Sequence, residues 1–387
     1  MKKILFVALA ATLLAAGCQK TEIINREGDR IGFTSEMGKL TKAADPVGLQ
    51  TLQNKGFKVW AYAAFEDPIN EVTAGDLYDE MAGLDVTYND QSTLSNKWET
   101  PGEYYWPGVD KNLAFFAVST GKTWATTQNP AGVSVDFKKN GTQVVVSEGN
   151  RELTVNGYTV DKNAPNDDLM VADFVLQNQG QNDRTVNMTF RHALSKIEFL
   201  FKTVENPTKD VYVKSVTVSG IKTAGTLTVS EKAKIEERFV WAPSGEGEQF
   251  TTTAPAAAAT DGEGGTDGTT STTENLTFLL DKDPEVFATW MIIPQEFASK
   301  GTDDALSGLK VTVAYKMGER NFESTFPLYT ADLLQWLPNQ YVRYTVTLAP
   351  NLISFKPTVE GWDQYDAVDD VEGNSATTGN QDITMQN

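Results

Sequence analysis

An all-β fold, packed as sandwiches or a barrel, is what the sequence predicts. Apolar residues recur with a two-residue period in many short runs, clusters of Gly, Asn, Asp and Pro separate the runs, and helical periodicity is scarce. At 387 residues the chain is long enough for two domains, and 40% hydrophobic against 22% charged residues marks a folded protein rather than a disordered one.

The strands are read in order. Ile31, Phe33 and Met37 share one face of the first. Phe57-Lys58-Val59-Trp60-Ala61-Tyr62 is rich in strand formers, and Val133/Val135/Phe137 and Val144/Val146 alternate. Val186, Met188 and Phe190 alternate, and Leu194, Ile197, Phe199 and Phe201 continue after one slip of phase, which predicts a bulge or break near residues 192–196. Further alternating runs are Val211/Val213, Val216/Val218, Leu309/Val311/Val313/Tyr315 and Val342/Tyr344/Val346/Leu348. The continuous apolar run from Phe287 to Ile293, ended by Pro294, fits a strand buried on both faces. One short helix is expected over 330–337, with Thr330 as N-cap and Pro338 as stop.

Polar stretches supply the boundaries. Residues 18–30 read as a tether, 31–178 as a first domain, 179–370 as a second, and 371–387 as a polar tail. Within the second domain, residues 243–275 are rich in Gly, Thr, Ala, Ser and Glu without periodicity and read as a disordered insertion.

The start of the chain sets an address. Met1-Lys2-Lys3 is a basic n-region and Ile4 to Leu14 an apolar h-region too short to span a bilayer. Leu14-Ala15-Ala16-Gly17-Cys18 resembles the lipobox of bacterial lipoproteins. That resemblance implies a signal peptide over 1–17 and a lipid on Cys18, anchoring the chain to a membrane and facing it out of the cytoplasm.

Composition removes several kinds of chemistry. A net charge of −19 repels nucleic acid and anionic membranes. One Cys and one His make neither an internal disulfide nor the usual zinc site, so neither metal nor cofactor is expected. His192 has no Gly-x-Ser-x-Gly nucleophile elbow to serve and reads as a structural residue at a strand break. Gly121-Lys122-Thr123 ends like a phosphate loop, but Phe116 stands where that loop needs Gly. Asp167-Asp168, Asp281/Asp283/Glu285 and Asp303-Asp304 lack calcium-loop spacing and read as solvated carboxylates. Tyr104-Tyr105-Trp106-Pro107-Gly108 reads as a strand entering a turn with Trp106 in the core, or as an exposed sugar-stacking platform. Nothing here argues for an enzyme.

Several strings, in this order, resemble the fimbrillin family of Bacteroides-type bacteria, the lipoprotein precursors of surface pili. They are Gly56-Phe57-Lys58-Val59-Trp60-Ala61-Tyr62, Tyr105-Trp106-Pro107, Leu113-Ala114-Phe115-Phe116-Ala117 and Asp168-Leu169-Met170-Val171-Ala172. Phe190-Arg191-His192-Ala193-Leu194-Ser195-Lys196-Ile197, Trp336-Leu337-Pro338-Asn339-Gln340 and Val359-Glu360-Gly361-Trp362-Asp363 complete them.

The resemblance implies two consecutive transthyretin-like β-sandwich domains, with the His192 string as a core strand opening the second. It also implies an outer-membrane precursor cut by a trypsin-like protease after a basic residue, loss of the first strand, and filling of the exposed groove by a strand of a neighbouring pilus subunit. On this chain the leaving strand carries Ile31, Phe33 and Met37, and the cut falls at Lys42-Ala43, with Arg26, Arg30 and Lys39 as alternatives. The residues after Trp362 alternate only weakly, which leaves shaft, tip and anchor roles open. A non-polymerising surface lipoprotein that binds glycans or host ligands is the alternative reading.

Overall fold

The computed structural model of the protein describes residues 30–38, 46–65, 73–121, 133–162, 167–255, 278–297, 308–328, 333–350 and 352–361. Strands dominate, and the helices among the described residues are Pro46–Lys55 and the single turns Asn182–Arg184 and Ile235–Arg238.

The first sheet runs, in spatial order, Gly32–Met37, Thr185–His192, Met170–Ala172, Asn112–Ser119, Phe57–Ala64, Leu77–Tyr88 and Trp98–Glu99. Its central strands read as near-continuous apolar runs because both faces are covered, with Lys58 the exception near one end. Val59, Ala61, Leu113, Phe115 and Ala117 face one core, and their neighbours Trp60, Tyr62, Ala114, Phe116 and Val118 face another. The sheet curls around the first of these cores. Leu52 of the helix Pro46–Lys55 packs into it, and the Ile31 N–H donates to the Tyr104 carbonyl, 2.7 Å away, beyond the sheet's opposite edge strand.

The second core rests on one long ribbon. Val211–Ser230, a strand of 20 residues, pairs antiparallel with Phe239–Thr253. Near the ribbon's turn, Val211–Ser230 also pairs with Glu152–Thr159, which pairs in turn with Ser134–Phe137. At the other end it pairs with Lys310–Met317, followed by Arg320–Pro327. The turn end faces the first sheet, where Phe137 meets Trp60, Tyr62 and Phe116 edge-on. The far end faces a four-stranded sheet of Glu285–Ile292, Ser195–Lys202, Gln340–Ala349 and Leu352–Gly361. There Phe250 meets Trp290 and Phe326 stacks on Phe355. Two sandwich layers therefore share one ribbon. Phe115, Phe116, Phe190, Phe199 and Phe201 are each 0% exposed, and burial of each contributes about 1.5–3 kcal/mol.

Three sequence expectations are corrected. The boundary at 178/179 falls within the first sheet's connections, because the polar stretch from Gln177 is a turn, held by the Gln177 side-chain amide donating to the carbonyls of Gln181 and Thr185. The chain changes sheets at Ala193 and Leu194, so Phe190-Arg191-His192 closes the first sheet and Ser195-Lys196-Ile197 of the same string opens the four-stranded one. Residues 243–253 of the expected insertion are strand, paired from Pro243 opposite Gly225 to Thr253 opposite Ser215. Backbone pairing holds them although most of their side chains are exposed and show no period. Residues 256–275 lie outside the described residues.

The third correction is the helix over 330–337. Of its described residues, Gln335 bridges Glu296, and the Trp336 N–H donates to the Gln295 carbonyl at 3.0 Å. Trp336, packed edge-on against Phe297, is buried by this extended pairing, and that tertiary contact overrides the local helical pattern.

Candidate functional site

The Gly32–Met37 strand is the edge of its sheet and pairs, in parallel, with Thr185–His192, from Gly32 opposite Thr185 to Met37 opposite Phe190. Alternation sends Phe33, Ser35 and Met37 inward, with Ile31 on the same face just before the strand. Ile31 and Phe33 are 2% and 1% exposed, and Phe33 meets Phe115 edge-on at 6.0 Å. Their surroundings are Val186, Met188 and Phe190, all fully buried. Met37 is only partly buried and packs at the rim.

The outward face is polar. The Thr34 hydroxyl donates to Asn187 at 3.0 Å, and the Glu36 carboxylate accepts from Asn187 at 3.0 Å and from Thr189 at 2.9 Å. Such exposed contacts contribute little. The strand's docking therefore rests on the apolar row and on its backbone ladder.

Both ends are fastened. At the start, Arg30 bridges Tyr105 and its guanidinium lies 3.4 Å from Glu103. At the finish, the Gly38 N–H donates to the Phe190 carbonyl at 2.8 Å. Gly38 also leaves room for the Arg191 guanidinium, which passes 2.7 Å from where a Cβ would sit. Arg191 in turn grips Asp173, which also accepts from Arg238 beside the ribbon's turn. Asp173 and Arg238 help line a cavity of about 210 Å³ there.

Of the residues singled out in the sequence, Ile31, Phe33 and Met37 come together in this strand. Cys18, Lys42 and Ala43 lie outside the described residues, as do the alternative sites Arg26 and Lys39. Trp106 is a core residue at 1% exposure, its indole donating to the Arg184 carbonyl, so Tyr104–Trp106 offers no exposed tryptophan platform. His192 is fully buried, as a residue at the end of its strand, with Nδ1 against the Asp168 carboxylate. That contact corrects the reading of Asp168 as solvated, since it is 3% exposed. Close by, burial pushes the Tyr158 hydroxyl well above the usual tyrosine range, and the carboxylates of Asp168 and Asp167 add to the push.

Sequence reasoning found the alternation of Val186, Met188 and Phe190 but not their role as the wall beside the first strand. Parallel pairing across so many residues leaves no local signal. Nor does it give a role to Asp173 or Arg191, ordinary charges until the fold brings them together.

A fimbrillin-like family profile matches residues 41–362, most of the chain, beginning just after the edge strand. Among solved structures, a fimbrial protein from Bacteroides vulgatus is similar, with a TM-score of 0.53 at 16% identity, covering 86% of this chain and 99% of that one. A candidate cell adhesion protein from Bacteroides uniformis aligns with a TM-score of 0.46 at 13% identity, covering 86% and 97%. One from Bacteroides ovatus aligns with a TM-score of 0.44 at 14% identity, covering 87% and 99%. No curated protein matches the chain.

Proposed function

The chain belongs to the fimbrillin-like family, and from that premise we propose that it is a pilus or adhesin subunit whose first strand is exchanged for a neighbour's. In this reading it is exported as a lipoprotein through Cys18 and carried to the outer-membrane surface. A trypsin-like protease cuts at Lys42-Ala43, the strand bearing Ile31, Phe33 and Met37 leaves, and a strand from another pilus subunit fills the groove.

One observation carries the reading. Gly32–Met37 is an edge strand that, with Ile31 just before it, puts the nearly inaccessible side chains of Ile31 and Phe33 into a core otherwise built from later residues. Removing it uncovers Val186, Met188 and Phe190 together with the unpaired main-chain edge of Thr185–His192. A groove with a bare edge and an apolar floor accepts an extended strand by main-chain pairing, with alternate side chains in its pockets. The non-polymerising alternative draws no support from Trp106, which is buried.

The test uses soluble chain beginning at Gln19. Limited trypsin digestion, mass spectrometry of the stable core and size-exclusion chromatography are expected to give a folded core starting at Ala43 that grows into higher-order species. Resistance at Arg26, Arg30, Lys39 and Lys42, or unfolding on cleavage, overturns the exchange mechanism.

A further inference from the structure

The inward row of the edge strand contains one residue that does not suit its surroundings. Ser35 stands between Phe33 and Met37, opposite Met188, and its Oγ is buried without a hydrogen-bond partner. Its neighbours across the pair, Val186, Met188 and Phe190, are fully buried and apolar. A buried hydroxyl left unpaired lowers a docking constant by about tenfold. The ladder itself is parallel, the slightly weaker of the two pairings per residue. The resident strand thus docks through Ile31 and Phe33 and is a poor fit one step further along.

We infer that the groove beside Thr185–His192 selects an incoming strand with an apolar, valine-sized side chain at the place Ser35 holds. This rests on the strand-exchange reading above. Ser35 gives exchange its direction: the resident strand completes the fold of the precursor, and a strand without the hydroxyl replaces it. A methyl or isopropyl group there meets Met188 where the hydroxyl finds no partner.

The probe is a set of labelled synthetic peptides spanning Arg30 to Gly38, natural or carrying Ser35→Val or Ser35→Thr. Each is titrated by fluorescence anisotropy into the trypsin-cleaved chain after the protease is removed. The Ser35→Val peptide is expected to bind about tenfold more tightly than the natural one, with the Ser35→Thr peptide gaining far less because it keeps the hydroxyl. In the full chain, Ser35→Val is expected to slow release of the cleaved strand by a similar factor. Equal binding of natural and Ser35→Val peptides overturns this inference while leaving strand exchange in place. Binding of none of the three removes the groove, and the exchange reading falls with it.

Discussion

Arg191 meets Asp173 side-on, its Nε donating to Oδ1 at 2.9 Å and its Nη2 to Oδ2 at 2.8 Å. The same carboxylate accepts from Arg238, so one acid joins the strand that walls the groove to the turn of the long ribbon. Both arginine side chains are 11% exposed, and that of Asp173 is 31% exposed. Replacing Asp173 by Ala takes their shared carboxylate from two largely desolvated cations. The expected loss is about 1–3 kcal/mol, held below the full cost of a buried pair by the partial exposure of the acid. Urea unfolding monitored by tryptophan fluorescence checks it, and an unchanged midpoint shows that the contact is ornamental.

Phe33→Ala separates docking of the edge strand from stability of the rest. Phe33 is 1% exposed against Phe115, and truncating a buried Phe costs about 3–5 kcal/mol. Since the strand pairs on one side only, that cost is expected to fall on local opening. Hydrogen exchange should show amides of residues 32–37 losing protection while Ser195–Lys202 and Gln340–Ala349 keep theirs. Equal loss everywhere means that the strand unfolds only with the whole molecule.

How much of this was legible in the sequence depends on what held each segment. Val186, Met188 and Phe190 alternate because one face is buried, and that alternation alone marks a strand. The phase slip after Phe190 was equally plain, since the chain leaves one sheet at His192 and enters another at Ser195. The Pro243–Thr253 stretch was missed because main-chain pairing to a long partner, not side-chain burial, holds it, and pairing leaves no mark on composition. For the candidate site, Ile31, Phe33 and Met37 were legible as a face. Their parallel partner was not, because nothing local specifies a neighbour so distant in sequence. Ser35 could be noticed only once its surroundings were known to be apolar.

Gly121 is expected to be intolerant of any side chain. Its φ is +65°, and an added Cβ would lie 2.4 Å from backbone atoms of Asp168, the residue whose carboxylate meets buried His192. Gly141 has the same φ with nothing within 4 Å of an added Cβ. Alanine at 141 therefore carries only the left-handed backbone cost of about 1–2 kcal/mol. Alanine at 121 adds displacement of Asp168 from His192 and should lose clearly more. Paired thermal melts of the two variants check this, and equal losses mean that the Asp168 backbone yields without disturbing the core.

Alkaline pH should unfold the protein through its buried tyrosines. Burial pushes Tyr62 up to about 12 and raises Tyr344 further, the latter held back in part by the Trp336 indole donating to its hydroxyl. Tyr158 is raised in the same direction. An unfolded chain ionises its tyrosines near pH ~10. Above that pH the unfolded state holds fewer protons than the folded one, so stability falls as pH rises. The contribution is fully present below pH ~10 and is lost at up to about 1.4 kcal/mol per pH unit for each tyrosine kept neutral. Tyrosinate absorbance and far-ultraviolet circular dichroism, followed together, provide the check. Exposed members of the 12 tyrosines should ionise gradually, and the buried ones in a step that coincides with loss of strand signal. Gradual ionisation of all of them while the strand signal persists would mean that solvent reaches Tyr62, Tyr158 and Tyr344 in the folded state.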